Sequence, residues 1–154
     1  MSLASATPAD RADIEAFLRL ADLTVSGLDA PSVHLWVERD AAGAVSATTG
    51  FERGADGRNV LIRSVAVHPA ARGGGRGTAL ARRAIDEAAA HGASRAWLFS
   101  RRSGPFWQGL GFAPADRDEL AAVLSDAHQV RLFRATGQLG REVAWSMPLD
   151  SLST

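Results

Sequence analysis

Apolar residues recur along this chain with two periods, one helical and one extended. From 7 to 22, Ile14, Phe17, Leu18 and Ala21 fall on one face. That segment opens Thr7-Pro8-Ala9-Asp10, with Thr7 placed as N-cap and Pro8 at the first helical position. Residues 23–31 are an interrupted segment with room for a short second helix. The stretches 33–38 and 45–52 read as strands joined by a hairpin at Asp40-Ala41-Ala42-Gly43, and 55–58 turns into a longer strand at 60–67. From 78 to 91, Leu80, Ala81, Ala84, Ile85 and Ala88 form one stripe with Gly77, while Arg82, Arg83, Asp86 and Glu87 lie opposite. Such a helix packs one face on a sheet. A short strand at 95–99, short helices at 104–110 and 116–124, and a final strand at 141–149 complete the pattern. Strands and helices that alternate after opening antiparallel hairpins predict an α/β or α+β chain: one mixed, mostly antiparallel sheet flanked by helices.

The junction between the strand at 60–67 and the helix at 78–91 carries the most chemistry. It reads His68-Pro69, then Arg72-Gly73-Gly74-Gly75-Arg76-Gly77. The first N–H groups of a helix lack intrahelical partners, and the helix dipole adds partial positive charge there. Glycines let main chain approach a phosphate and the arginines add charge. A plain surface turn would not require three consecutive glycines plus Gly77, because each one costs backbone entropy. A Walker loop is excluded because the chain contains no lysine. A dinucleotide fingerprint is excluded because neither Gly73-x-Gly75 nor Gly75-x-Gly77 is followed by the third small residue, Thr78 and Leu80 standing there instead.

What the segment does match is Arg-x-x-Gly-x-Gly, as Arg72-x-x-Gly75-x-Gly77, after a Val-x-Pro strand end. It resembles the acetyl-CoA signature of the GCN5-related N-acetyltransferases, and Leu110-Gly111-Phe112 resembles the Leu-Gly-Phe that follows that family's short helix after the fifth strand. The likeness covers roughly residues 58–115. It implies that the whole chain, 1–154, is one N-acetyltransferase domain using acetyl-CoA without a metal. The main chain of Val65, Ala66 and Val67 would hold the pantetheine arm and polarise the thioester carbonyl. Arg72, Gly73, Gly74, Gly75, Arg76, Gly77 and Thr78 would hold the pyrophosphate. Phe106 and Trp107 would sit on the cofactor side, with Trp107 where the family often has a tyrosine acid.

Composition narrows the setting. A chain of 154 residues and 16.2 kDa is the size of one independently folding domain. Seventeen arginines balance seventeen acids, so no pull toward nucleic acid is expected. With no cysteine, disulfides, thiol chemistry and the usual zinc frameworks are absent. His34, His68, His91 and His128 share neither a helical face nor metal spacing, and His68 marks a strand end. The first residues do not form a basic-then-apolar leader and no apolar run approaches a membrane span, which predicts a cytoplasmic protein with no membrane partner.

Acyl transfer to an amine needs the amine deprotonated, usually by a carboxylate or a water it orients. The resemblance points to Glu52, at the end of the strand 45–52, with Glu38 on the neighbouring strand as second choice. The thiolate needs a proton or leaves unassisted. Indole cannot supply one in this pH range and the chain has no tyrosine, so the acid is Ser103, Ser100 or water. Arg63 lies inside an apolar strand, where an arginine needs a carboxylate partner such as Glu52 or a cavity to face. Arg101 and Arg102 lie at a strand end and suit bidentate recognition of a carboxylate. The transferase domains of acetylglutamate synthases, and arsenic-resistance-linked acetyltransferases acting on amino-acid-like compounds, are similar here. Together these imply a small, carboxylate-bearing amine as acceptor, attacked directly in a ternary complex. Trp36, Trp97 and Trp145 alternate with apolar neighbours as core residues do. The stretch 128–139, with Gln129, Arg131, Arg134 and Gln138, lines either the acceptor side or a homodimer contact. Two other functions compete: a cofactor-binding sensor without turnover, and transfer to a protein or peptide amine. The second is disfavoured by the neutral charge, since basic tails meet acidic grooves.

Overall fold

The structure is a computed structural model that describes residues 3–149. Its elements in chain order are β1 (Ala4–Ser5), α1 (Arg11–Leu20), β2 (Val33–Arg39), β3 (Val45–Arg53), β4 (Asn59–Val67), α2 (Arg76–Ala90), β5 (Arg95–Phe99), α3 (Gly104–Gly109), β6 (Ala113–Ala115), α4 (Arg117–Val123), α5 (His128–Thr136) and β7 (Ala144–Pro148). The seven strands form one sheet in the order β1-β2-β3-β4-β5-β7-β6. All neighbours are antiparallel except β4 and β5, which run parallel. The expected mixed, mostly antiparallel sheet is present.

Period-two alternation sends each strand's apolar residues to two separate cores. On one face, Trp36, Phe51, Val60, Ile62 and Leu98 pack with Ala81, Ala84 and Ala88 of α2, and with Trp107, Phe112 and Trp145. The alanine stripe lets α2 approach closely enough for Thr49 Oγ1 to donate to the Leu80 carbonyl at 2.7 Å. On the other face, Leu61 and Trp97 meet Leu120 and Leu124 around α4 and Val130 of α5. On that second face Val37 also meets Ile14, Phe17 and Leu18 of α1.

Several expectations change. The start of the first helix is a tight turn, Pro8–Asp10, in which the Asp10 carboxylate accepts from the Thr7 N–H at 2.9 Å; the α-helix proper begins at Arg11. No second helix forms in 23–31, which is a run of turns with Gly27 at φ 72°. The stretch 128–139 contains a helix, α5, stopped by Gly137 in the left-handed conformation. β6, carrying Pro114, adds at the sheet edge, where a missing N–H is tolerated.

Candidate acetyl-transfer site

The site begins where the sheet fails to close. β4 and β5 pair only over Asn59–Leu61 and Arg95–Trp97. Beyond that point β4 stays with β3, Ala47 opposite Val67, while β5 stays with β7, Phe99 opposite Ala144. The parallel strands therefore diverge, and a cavity of about 620 Å³ occupies the gap. Val65, Ala66 and Val67 form one wall, and Phe99, Ser100 and Ser103 contribute to the other.

A bulge prepares the β4 wall. Thr48 pairs with Ala66 and Gly50 with Arg63, so β4 has one extra residue there. Ser64 takes φ 61°, unusual for a residue with a Cβ. Two buried contacts hold it: Thr48 Oγ1 donates to the Ser64 carbonyl at 2.7 Å, and Arg63 Nε lies 3.3 Å from Ser64 Oγ. The extra residue resets alternation, so Val65 packs with the α2-side core and Ala66 with the α1-side core.

The loop between β4 and α2 has the geometry of an anion cradle. Gly73, Gly74 and Gly75 take φ 104°, 62° and 75°, and a Cβ added to any of them would meet nothing within 4 Å. Three successive glycines at positive φ, facing open space in front of a helix start, leave room for main chain to approach a pyrophosphate. Arg72, Gly73 and Gly77 line the cavity. The side chain of Arg76 pairs instead with Glu38, and its main-chain N–H donates to the Gly73 carbonyl at 3.3 Å. Thr78 lies in the first turn of α2 and is not on the cavity wall.

The cavity lining also carries charged and amide side chains: Arg101, Arg102, Asp22, Gln129, Gln138 and Glu142. Glu142 is only 7 % exposed; Gln138 Nε2 donates to its Oε2 at 2.8 Å and Arg101 Nε lies 3.5 Å from the same oxygen. Glu142 was not singled out by sequence reasoning, which placed it inside the final strand. Its only signal was a carboxylate just before an apolar run. Arg102 has no ion-pair partner among the described residues.

Other expected site residues lie elsewhere. Glu52 is 1 % exposed and does not reach the cavity. Its Oε1 faces Arg63 Nη1 at 3.4 Å, and its Oε2 accepts from the His128 main-chain N–H at 2.8 Å and lies 2.6 Å from His128 Nδ1. Arg63, 4 % exposed, also approaches the Thr24 carbonyl at 3.5 Å. Burial pulls the Arg63 guanidinium below the ordinary arginine value, with Glu52 opposing the shift. This cluster joins β3, β4, the 23–31 turns and the start of α5. Glu38 is committed to Arg76 and to Ser46 Oγ, 3.2 Å away. Trp107 is in the core, edge-on to Phe112 at 5.4 Å, and Phe106 lies against the Gly77 position of α2; neither lines the cavity. Among the described residues no group of three or more His, Cys, Asp or Glu is placed to hold a metal ion, and no helix is long and apolar enough to cross a membrane.

Solved structures share this architecture. The N-acetylglutamate synthase of Neisseria gonorrhoeae, in complex with coenzyme A and N-acetyl-glutamate, matches with a TM-score of 0.73 at 20 % identity, over 97 % of this chain and 35 % of its own. The chain thus spans about a third of that synthase. Rv2747 from Mycobacterium tuberculosis, in complex with CoA, matches with TM-score 0.73 at 19 % identity over 97 % of this chain and 99 % of its own. A GNAT-family acetyltransferase of Staphylococcus aureus gives 0.70 at 12 % identity, over 97 % and 99 % of the two chains. Among curated proteins no sequence matches. The model of the acetyltransferase (GNAT) family matches residues 3–112, a span containing the bulged β4, the glycine cradle and the diverging strands. Sequence and geometry converge on one assignment: the chain belongs to the GNAT family of N-acetyltransferases.

Proposed function

We propose that the protein transfers an acetyl group from acetyl-CoA to the primary amine of a small acceptor bearing a carboxylate, by direct attack in a ternary complex. The observation that carries this reading is the single cavity running from the glycine cradle, past the diverging strands, to Arg101 and Arg102. Acetyl-CoA supplies an activated acyl group on a thiol of moderate basicity. Arg72 and the N–H groups of the loop and of α2 would hold its pyrophosphate, and the β4 edge at Val65–Val67 would align its arm and polarise the carbonyl. Ser103, at the α3 start with its N–H on Ser100 Oγ at 3.0 Å, lines the cavity and would donate a hydrogen bond toward the departing sulfur. Arg102 would take the acceptor carboxylate, a charge-assisted bond that a neutral group cannot reproduce. The N-acetylglutamate synthase structure that holds N-acetyl-glutamate beside coenzyme A supports an amino-acid-like acceptor.

Thiol release measured with acetyl-CoA and the twenty common amino acids, each against its α-amide, tests the proposal. The acids are expected to turn over at least tenfold faster than their amides. Equal rates for acid and amide would remove the carboxylate, and no turnover on any amine would remove the reaction.

A further inference from the structure

The geometry points to Glu142 as the group that receives the acceptor's ammonium and takes its proton, an inference that rests on the proposed acetyl transfer. Two carboxylates line the cavity, Asp22 and Glu142. Asp22 is exposed and sits in a turn at φ 59°. Glu142 is buried, and its two anchors both act on Oε2. Oε1 accepts nothing from the described residues and is not among the buried side-chain atoms left without a partner, so it keeps some exposure on a residue that lines the cavity. A carboxylate with one oxygen fixed by an amide and a guanidinium and the other free is oriented to bind one further donor.

Its place in the fold matches the reaction. Glu142 immediately precedes Val143, whose carbonyl accepts from the Ser100 N–H at 2.9 Å. That bond fastens Glu142 beside the end of β5, across the gap from Val65–Val67. An acceptor in the gap would set its carboxylate at Arg102 and its ammonium at Glu142. The nearby charged groups are Arg101 from the end of β5, Arg117 of α4 on the Glu142 main-chain carbonyl at 3.4 Å, and Arg72, Arg102 and Asp22 around the cavity. The acceptor nitrogen gives one proton to Glu142 Oε1 and its freed pair forms the bond to the acetyl carbon. The C–S bond breaks with its pair on sulfur, which takes a proton from water; the second nitrogen proton neutralises the hydroxide left behind, and Glu142 then returns its proton to solvent, giving amide, thiol and one net proton released.

The test compares Glu142→Gln and Glu142→Asp with the intact chain. The probe is the amino acid that turns over fastest in the wild-type screen, or glycine if none does. Glu142→Gln is expected to lower kcat by about 10²- to 10⁴-fold, the usual yield of a positioned base. The acidic limb of the pH profile should vanish, and Glu142→Asp should recover part of the rate. Calorimetry on CoA-saturated protein gives a readout without turnover: the amino acid should bind at least tenfold more weakly to Glu142→Gln, while its N-acetyl derivative, which has no ammonium, changes less than twofold. Wild-type kcat with an unchanged acidic limb in Glu142→Gln overturns the proposal even when the transferase reaction holds. If the wild type turns over no amine, the reaction itself is refuted, and Glu142 stands or falls on calorimetry: equal affinities, or no wild-type binding, overturn it.

Discussion

Replacing Glu52 with glutamine separates a structural carboxylate from a catalytic one. The substitution keeps the shape and leaves a carbonyl oxygen to accept the His128 N–H, so the start of α5 retains its partner. It removes the charge opposite Arg63, at 3.4 Å and 1 % side-chain exposure on both sides. At an effective dielectric of about 20 the lost attraction is roughly 5 kcal/mol. Measured losses on breaking one half of a buried pair are about 3–5 kcal/mol. For a chain this long each kcal/mol shifts Tm by about 2–4 °C, so Glu52→Gln should melt roughly 6–20 °C lower. Thermal unfolding followed by circular dichroism checks the loss, and thiol release well below the new Tm checks the chemistry. Because Glu52 stands off the cavity, kcat per folded molecule should stay within tenfold of wild type. Replacing the pair together, as Glu52→Leu with Arg63→Met, should recover part of the loss, since no cation is then left buried, although His128 keeps two N–H groups without an acceptor. A Glu52→Gln protein that melts within 2 °C of wild type yet loses more than a hundredfold in kcat would refute this reasoning and return the base role to Glu52.

Three further outcomes follow from local geometry. Gly75→Asp has room for its side chain but puts an anion in the cradle; the stabilisation that acetyl-CoA gives the wild type, about 2.7 kcal/mol at a hundredfold excess over Kd, should disappear from the melting curve, while the unliganded protein loses only the roughly 1–2 kcal/mol of a left-handed non-glycine residue, a fall in Tm of about 2–8 °C. Gly50→Ala would drive its Cβ into the His34 carbonyl oxygen on the adjacent strand, so expression as a folded monodisperse protein should fail or Tm should collapse. His34 is held below its ordinary value of 6.5, chiefly by burial and then by His91 and Arg53; its unfolded form binds the proton more readily, so stability is full above pH 6.5 and falls as pH drops through the folded value, and His34→Phe, keeping the ring stack on Phe51, should flatten that slope in pH-dependent melting.

The parts of the molecule legible in the sequence are those set by local rules. The alanine stripe of α2, the extended runs of β3 and β4, and Arg72-Gly73-Gly74-Gly75-Arg76-Gly77 each carry their own period or backbone requirement, and each appears where expected. Apart from Arg63, the partners of charged residues were not legible, because pairing is decided across the sheet. Arg63 could be recognised as needing a carboxylate, and Glu52 is that carboxylate. That solution removes Glu52 from the cavity, a consequence no single-strand pattern contains. α5 escaped notice because its start has no capping side chain and only Val130 and Phe133 are buried. Glu142 depends on α5 as well, since Gln138 just beyond that helix orients it.

The bulge at Ser64 links the two clusters. A regular β4 would point Val65 toward α1 and Ala66 toward α2; the extra residue inverts both. It also leaves the Ser64 carbonyl and the strained Ser64 backbone inside the protein, where an unpaired polar group costs about 1–3 kcal/mol. Thr48 satisfies the carbonyl and the Arg63 guanidinium approaches the hydroxyl, so Arg63 lies beside the distortion for a structural reason. A buried guanidinium then requires Glu52, and Glu52 in turn takes the first N–H of α5. Through α5 the chain of contacts reaches Gln129 and Gln138 on the cavity wall. The Glu52–Arg63–His128 cluster therefore ties the bulged strand to the start of α5, two elements that border the cavity. Its disruption should raise the acceptor KM and lower stability together, whereas loss of Glu142 should lower kcat and acceptor affinity with the fold left intact.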